Sequence, residues 1–305
     1  MKYLQSPLNY TGGKFKLLPQ IEPLFPKQID TFVDLFCGGG NVGANVSSSK
    51  VIFNDTNRHV ISILKSFSEL DEKVIFEKIM KIIDEYGLSL VSDKGYGYYG
   101  CDSQNGLGKY NKDPYIHLRN ILNHKEIQDA DYYIMLYVLI IYTFNNQIRF
   151  NKHGEFNLPV GKRDFNATMQ KKLSKFINKL HSINCKFSHK DFRDINIESL
   201  SKKDFVYADP PYLITCATYN ENGGWTTLDE QDLYYKYLDR LNERGIRFAL
   251  SNVLFSKGKS NEILKNWLDE HSNYNCHHLN YNYANSNYHT SGRNSITDEI
   301  VVTNY

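Results

Sequence analysis

Asp209, Pro210, Pro211 and Tyr212 close a short apolar run, Phe205 to Ala208, that reads as a buried strand. Asp209 then stands at a strand's carboxyl end, where open α/β sheets place their ligand crevice. The consecutive prolines fix φ and hold the Asp209 carboxylate and the Pro210 carbonyl in one geometry, with an aromatic ring beside them. A second constellation lies in "DLFCGGGNVG", residues 34 to 43. Glycines at Gly38, Gly39 and Gly40 let the chain turn sharply off a strand read over Thr31 to Phe36 and approach a ligand closely. A second apolar run, Val51 to Phe53, ends in Asn54 and Asp55, which places Asp55 to bind the two hydroxyls of a ribose. The turn is not GxGxxG, and Asp34 precedes it; a carboxylate there repels a pyrophosphate and suits a cation. These residues describe a nucleoside carrying positive charge, as S-adenosylmethionine does, rather than NAD.

The elements that must position these residues alternate between strand and helix. Thr31 to Phe53 reads as a βαβ opening, with a helix-compatible segment after the glycine turn. From about Thr56 to Lys175 the pattern becomes helical, broken by a loop over "SDKGYGYYGCDSQNGLGKYNKDP" (92 to 114) where glycines are dense. The helices "PYIHLRNILN" and Tyr132 to Phe144 deliver a basic loop, "NNQIRFNKHGEFNLPVGKRDF" (145 to 165), and the block reads as an insertion between the halves of an α/β sheet. The sheet resumes at Phe205; a helix follows with Thr227 and Glu230 in capping-box spacing and Leu233, Tyr237 and Leu241 on one apolar face. A strand over 246–253, a helix at "NEILKNWLDE" and a closing strand at "DEIVVTNY" (298 to 305) complete the alternation.

Composition bounds the class. The 305 residues, 41% hydrophobic and 23% charged, are ordinary for a globular protein of one large domain or two joined ones. No apolar signal core opens the sequence, and the run from Tyr132 to Phe144 is shorter than the roughly 20 residues of a membrane span, so a cytosolic protein without membrane contact is expected. Five cysteines without a CxxC pair fit a reducing compartment. Cys276, His277 and His278 lack spaced partners, and no metal is expected. A net charge of +2 does not by itself declare a nucleic-acid partner; Arg149, Lys152, Lys162 and Arg163 among amides and aromatics are the mixture that meets phosphates and base edges, but taken alone they read as a solvated loop.

The chain resembles the Dam-type, alpha-group DNA adenine-N6 methyltransferases over nearly its whole length. "NYTGGKFKLLPQI", "FVDLFCGGGNVG", "FNNQIRFNKHGEFNLPVGKRDF", "HKDFRDI" and "ADPPY" carry the resemblance, in the family's order. It implies a mixed seven-stranded α/β sheet of the S-adenosylmethionine-dependent methyltransferase type with an inserted, mostly helical target-recognition domain. The expected parts are a cofactor-binding half over 1–56, a DNA target-recognition insertion over 57–175 and a DPPY half over 176–305.

The resemblance also assigns roles. An exocyclic adenine amine is a poor nucleophile because its lone pair is delocalised into the ring. Asp209 and the Pro210 carbonyl would accept its protons and localise that pair, with Pro211 stiffening the turn and Tyr212 stacking on the flipped base. Cofactor contacts are expected from Tyr10, Lys14, Asp34, Phe36, Gly38, Gly40, Asp55, Asp191, Phe192 and Asp209; for Phe192, core packing is an equal alternative. DNA contacts are expected from Phe144, Asn145, Gln147, Arg149, Asn151, Lys162 and Arg163. Arg149 matches the base-reading arginine of the family, with a phosphate contact as its alternative. Phe144 either enters the base stack or packs under the loop. Gln147 stands where better-known GATC enzymes carry an apolar residue, which leaves the site open between GATC and another short sequence. Double-stranded DNA is the expected partner, with a cognate restriction endonuclease if the enzyme is restriction-linked rather than solitary. N4-cytosine methylation and a non-catalytic DNA-binding relative remain as alternatives.

Overall fold

Short β-branched and aromatic runs between polar turns set the strands. A computed structural model describes residues 3–215, 224–280 and 297–305 of the chain. Its strands are β1 (Thr31–Asp34), β2 (Lys50–Asn54), β3 (Cys185–Ser188), β4 (Phe205–Ala208), β5 (Arg247–Ser256), β6 (Lys259–Ser260), β7 (Asn275–Leu279) and β8 (Thr297–Thr303). They follow the spatial order β3-β2-β1-β4-β5-β8-β7, and β6 folds back on β5. β1 pairs in parallel with β2 and β4, and β4 with β5, whereas β8 runs antiparallel to β5 and β7. The expected mixed seven-stranded sheet is present. Every residue of β4 is buried, as a central parallel strand covered on both faces requires.

The chain divides into two compact units. Lys14–Cys37, Asn45–Thr56 and Ser188–Tyr305 form the unit that holds β1, β2 and β4 to β8. There the helix Glu262–Glu270 and a helical run beginning at Thr227 cover β5 with Trp267, Tyr234, Leu233 and Leu241, which are buried with Phe248 and Leu250. That run passes through a π-helical stretch, Asp232–Leu238. Its capping box uses Thr226 and Asp229, one residue earlier than the Thr227 and Glu230 pairing expected from spacing, because Glu230 is taken up in the core.

Met1–Gly13, Gly38–Ala44 and Asn57–Phe187 form the other unit, which is mostly helical. Its helices Arg58–Glu69, Ala130–Tyr142 and Ala167–Ser182 each start at a side-chain cap, from Asn57, Asp129 and Asn166. Ala130–Tyr142 is buried almost all round, which explains its continuous apolar run. Two local expectations are corrected. The span 92 to 114 is a loop only at 99–107: Val91–Tyr98 is helical with a kink at Gly95, and Gly108–Asn123 carries Pro114 within its first two turns. After the glycine turn there is no full helix, only a 3₁₀ turn at Gly43–Asn45, since one glycine, two asparagines and three serines among residues 41–49 disfavour a longer one. Position 175, where the insertion was expected to end, lies inside Ala167–Ser182. Among the described residues no helix is long and apolar enough to cross a membrane.

Candidate active site

Asp209 leaves β4 at its carboxyl end, and its Oδ1 accepts from two groups of the same unit, the Lys14 ammonium at 3.0 Å and the Tyr212 hydroxyl at 3.1 Å. Lys14 opens the 3₁₀ turn Lys14–Leu17 and is buried, with its ammonium 4.7 Å from the centre of the Tyr212 ring. The Tyr212 hydroxyl also reaches Oε1 of Glu299 on β8 at 2.9 Å, and Lys14 lies 3.5 Å from the same atom. Burial pushes the Asp209 carboxyl up to about 6; the Lys14 charge pulls it down, the Glu299 carboxylate pushes it up and the Tyr212 hydroxyl pulls it down. Both protein donors sit on Oδ1. Lys14 was expected to touch cofactor and is placed here on Asp209; Glu299 was not anticipated. An acid at the head of the apolar run "IVV" in the closing strand was the available signal, because a buried carboxylate requires partners.

At the carboxyl ends of β1 and β2, Asp34 and Asp55 are both buried. Together with burial, the two carboxylates push the Cys37 thiol well above its usual pKa. Asn54 ties this edge together: its amide donates to the carbonyls of Leu35 and Lys190, each at 3.0 Å, and accepts from the Lys190 amide at 3.2 Å. Its own carbonyl receives the Cys37 amide at 2.8 Å, and the Asp55 amide donates to Ser188 at 3.2 Å. Sequence reasoning passed over Asn54 as a positioning residue.

Phe36 meets Phe192 with ring centres 5.7 Å apart and Trp225 edge-on at 5.6 Å. Phe192 is 2% exposed and also packs on Tyr237, so packing accounts for most of its surface. Trp225, also unanticipated, donates its indole N–H to Glu230, a fully buried acid that further accepts from Asn261 at 2.8 Å and Asn252 at 3.1 Å. Asp191 caps the 3₁₀ turn Phe192–Asp194, and both its oxygens take Arg193 at 3.1 Å; the same guanidinium reaches Asp229 and Asp232 and lies over the Phe192 ring.

The helical unit holds the other residues. Gly38 has φ +47°, and a Cβ there would stand 2.6 Å from the Tyr10 ring, so the turn and Tyr10 pack only without a side chain. Gly40 also lies at positive φ. After the helix Ala130–Tyr142 the chain makes a hairpin-like excursion with bridges Thr143 to Val160 and Phe150 to Phe156. Asn145 and Asn146 both take left-handed φ, and the Asn146 amide caps the Ile140 and Ile141 carbonyls at 3.1 and 2.7 Å. Phe144 is left 51% exposed. Arg149 is exposed and steered by a hydrogen bond from Nε to Asn157 Oδ1 at 3.1 Å. Asn151 is spent on the turn itself, accepting from the His153 and Glu155 amides. Gln147 is half-buried; Lys162 and Arg163 are exposed. Cys276 to His278 lie on β7, where His278 pairs with Asp298 at 2.7 Å.

A mixed seven-stranded sheet with an acid, two prolines and a tyrosine leaving a central strand defines a methyltransferase architecture. A profile of the D12 class N6 adenine-specific DNA methyltransferases matches residues 10–285, and the chain belongs to that family. It is 42% identical to the type II methyltransferase FokI of Planomicrobium okeanokoites and 39% to the modification methylase StsI of Streptococcus sanguinis, over 99% and 100% of this chain. The chain spans 43% of the length of each of these two relatives. It is 26% identical to the DNA adenine methylase of Escherichia coli, over 83% of this chain and 82% of that protein.

Proposed function

We propose that the protein moves a methyl group from S-adenosylmethionine to N6 of an adenine flipped out of duplex DNA. The observation that carries this reading is Asp209 at the end of β4, its Oδ1 fixed by Lys14 and Tyr212. Its Oδ2 and the Pro210 carbonyl take the two amine protons and localise the nitrogen lone pair, while the Tyr212 ring stacks on the base. The bound cofactor supplies an electrophilic methyl on a sulfonium. The sulfur would be the leaving group as its methyl passed to the amine nitrogen, and Asp209 would take the amine proton, acidic only once the methyl has arrived.

The donor set fits the cofactor: buried Asp55 for the ribose diol, Asp34 for cationic character and the Phe36, Phe192 and Trp225 rings for a purine. Tyr10, Gly38 and Gly40 are assigned to it by family likeness, as is Asp191. In the insertion, Arg149 reads a guanine edge, Phe144, Asn145 and Gln147 approach the bases, and Asn151, Lys162 and Arg163 serve the backbone. The names of the FokI and StsI relatives favour a restriction-linked modification enzyme of the bacterial or phage-infected cytoplasm.

The test is transfer of tritiated methyl to long random-sequence duplex DNA, followed by nucleoside digestion. N6-methyladenine from the wild type and none from Asp209→Ala supports the reading. N4-methylcytosine, or an active Asp209→Ala, overturns it.

A further inference from the structure

Glu299 is an acid where a strand has no evident need of one. Its partners across the sheet are apolar, Val253 on β5 and Leu279 on β7, and it is 1% exposed. An ionised carboxylate in such surroundings is costly unless paired and hydrogen-bonded. Both of its contacts described above, the Tyr212 hydroxyl at 2.9 Å and the Lys14 ammonium at 3.5 Å, go to groups that themselves bind Asp209 Oδ1. The four side chains form a closed loop, with one cation shared between two acids. Tyr207 on β4 adjoins it, its phenol bonded to Ser251 at 2.7 Å and its ionisation opposed by Asp209, Asp34 and Glu299. On β7 and β8 the other titratable side chains are Cys276, His277, His278 and Asp298, of which His278 and Asp298 pair with each other.

We propose that Glu299 is a positioning residue for methyl transfer, anchoring the Tyr212 hydroxyl and the Lys14 ammonium so that the Tyr212 ring plane and the Asp209 rotamer are set before substrate arrives. The proposal rests on the adenine-methyltransferase reading and adds a residue to it. With its one hydroxyl proton donated to one carboxylate and the other carboxylate within reach, the Tyr212 ring is restrained from swinging, and a stacking face fixed in advance saves ordering entropy when the base enters. With Lys14 and Tyr212 both on Oδ1, Oδ2 is left to the amine. The loop carries one positive and two negative charges when both acids are ionised, and a cationic methyl donor brings it to neutrality.

Substituting Glu299 and Tyr212 moves the acid limb of the rate in opposite directions, which simple loss of structure does not do. Glu299 raises the Asp209 pKa through its charge, and the Tyr212 hydroxyl lowers it by hydrogen bonding. Single-turnover transfer of tritiated methyl to random-sequence duplex DNA is measured from pH 5 to 8, at saturating S-adenosylmethionine, for wild type, Glu299→Gln, Tyr212→Phe and Asp209→Ala. Glu299→Gln is expected to slow the plateau rate at least about tenfold, with the acid limb about one unit lower. Tyr212→Phe keeps the ring and is expected to slow transfer with the limb moved higher. A wild-type rate and limb in Glu299→Gln overturns the proposal. Should Glu299→Gln not fold, Tyr212→Phe decides: a wild-type rate or an unmoved limb overturns it. Failure of the parent reading looks different, since Asp209→Ala would then remain active or the wild type would transfer nothing.

Discussion

Asp209 is held with its carboxyl at about 6, against an ordinary 3.8, in a site where its side chain is 15% exposed. Because the folded pKa is raised, the native state holds the proton more tightly than the unfolded chain between pH 4 and 6. Stability therefore falls as pH rises through that window and stays lower above it. Asp209→Asn removes this penalty: it should gain about 1–3 kcal/mol in urea unfolding at pH 7, show no gain at pH 4, and be inactive. A wild-type urea midpoint at pH 7 would contradict it. Asp55 is a different case, buried at the end of β2 with its amide tied to Ser188. If it holds the ribose, Asp55→Ala loses hydrogen bonds to a charged acceptor worth about 1.5–3 kcal/mol each, raising the KM for S-adenosylmethionine at least about tenfold. DNA affinity should stay within a factor of two or so, and an unchanged cofactor KM would remove Asp55 from the pocket.

The excursion from Thr143 to Val160 shows how an element presents single residues. Its neck closes where the Gly161 amide meets the Tyr142 carbonyl at 2.7 Å, and a Cβ on Gly161 would lie 2.4 Å from the Thr143 oxygen. Gly161→Ala should destabilise by about 1–3 kcal/mol, read as a lowered Tm, and loosen the loop bearing Arg149. Farther out, Phe150 stacks on His59 with ring centres 3.9 Å apart, and burial, aided by Arg58, depresses the His59 pKa to about 4. A depressed histidine is stabilising while neutral, so this support is complete above pH 6.5 and fades as pH falls toward 4. Arg149→Ala should weaken binding to the cognate site by about 1–3 kcal/mol and relax discrimination at one base pair. Equal weakening on every sequence would make the loop a backbone clamp. Short apolar runs made β1, β2, β4, β5 and β8 legible beforehand, β4 to the residue, whereas β3, β6 and β7, short or rich in polar residues, carry no such run. The loop read over the glycine-rich span 92 to 114 holds only at 99–107, because Gly95 kinks a helix and Gly97 and Gly108 sit within helices, roles that composition does not separate from a loop.

For the whole molecule, a net charge of +2 gives little general attraction to DNA, so the proposed DNA affinity would have to come from local basic residues such as Lys162 and Arg163. Lys162→Ala should weaken cognate and non-cognate DNA alike and lower the salt slope of log K by about one unit; a slope unchanged between 50 and 200 mM salt would take Lys162 off the phosphates. What the sequence by itself determined is local: the five strands with apolar runs, the acid–Pro–Pro–Tyr turn, the glycine turn with its following acid, and the family, because each is set by neighbours within a few residues or by motifs in register. Tertiary structure alone decided which side chains surround Asp209. Lys14 and Glu299 lie far apart in sequence, and only the pairing of β8 with β5, itself parallel to β4, brings Glu299 beside the acid. Trp225 meets Phe36 and Phe192 for the same reason, and Asn54 joins β1 to the residues after β3. Burial then sets the chemistry, since the same carboxylate exposed to water would titrate near its ordinary value rather than at about 6.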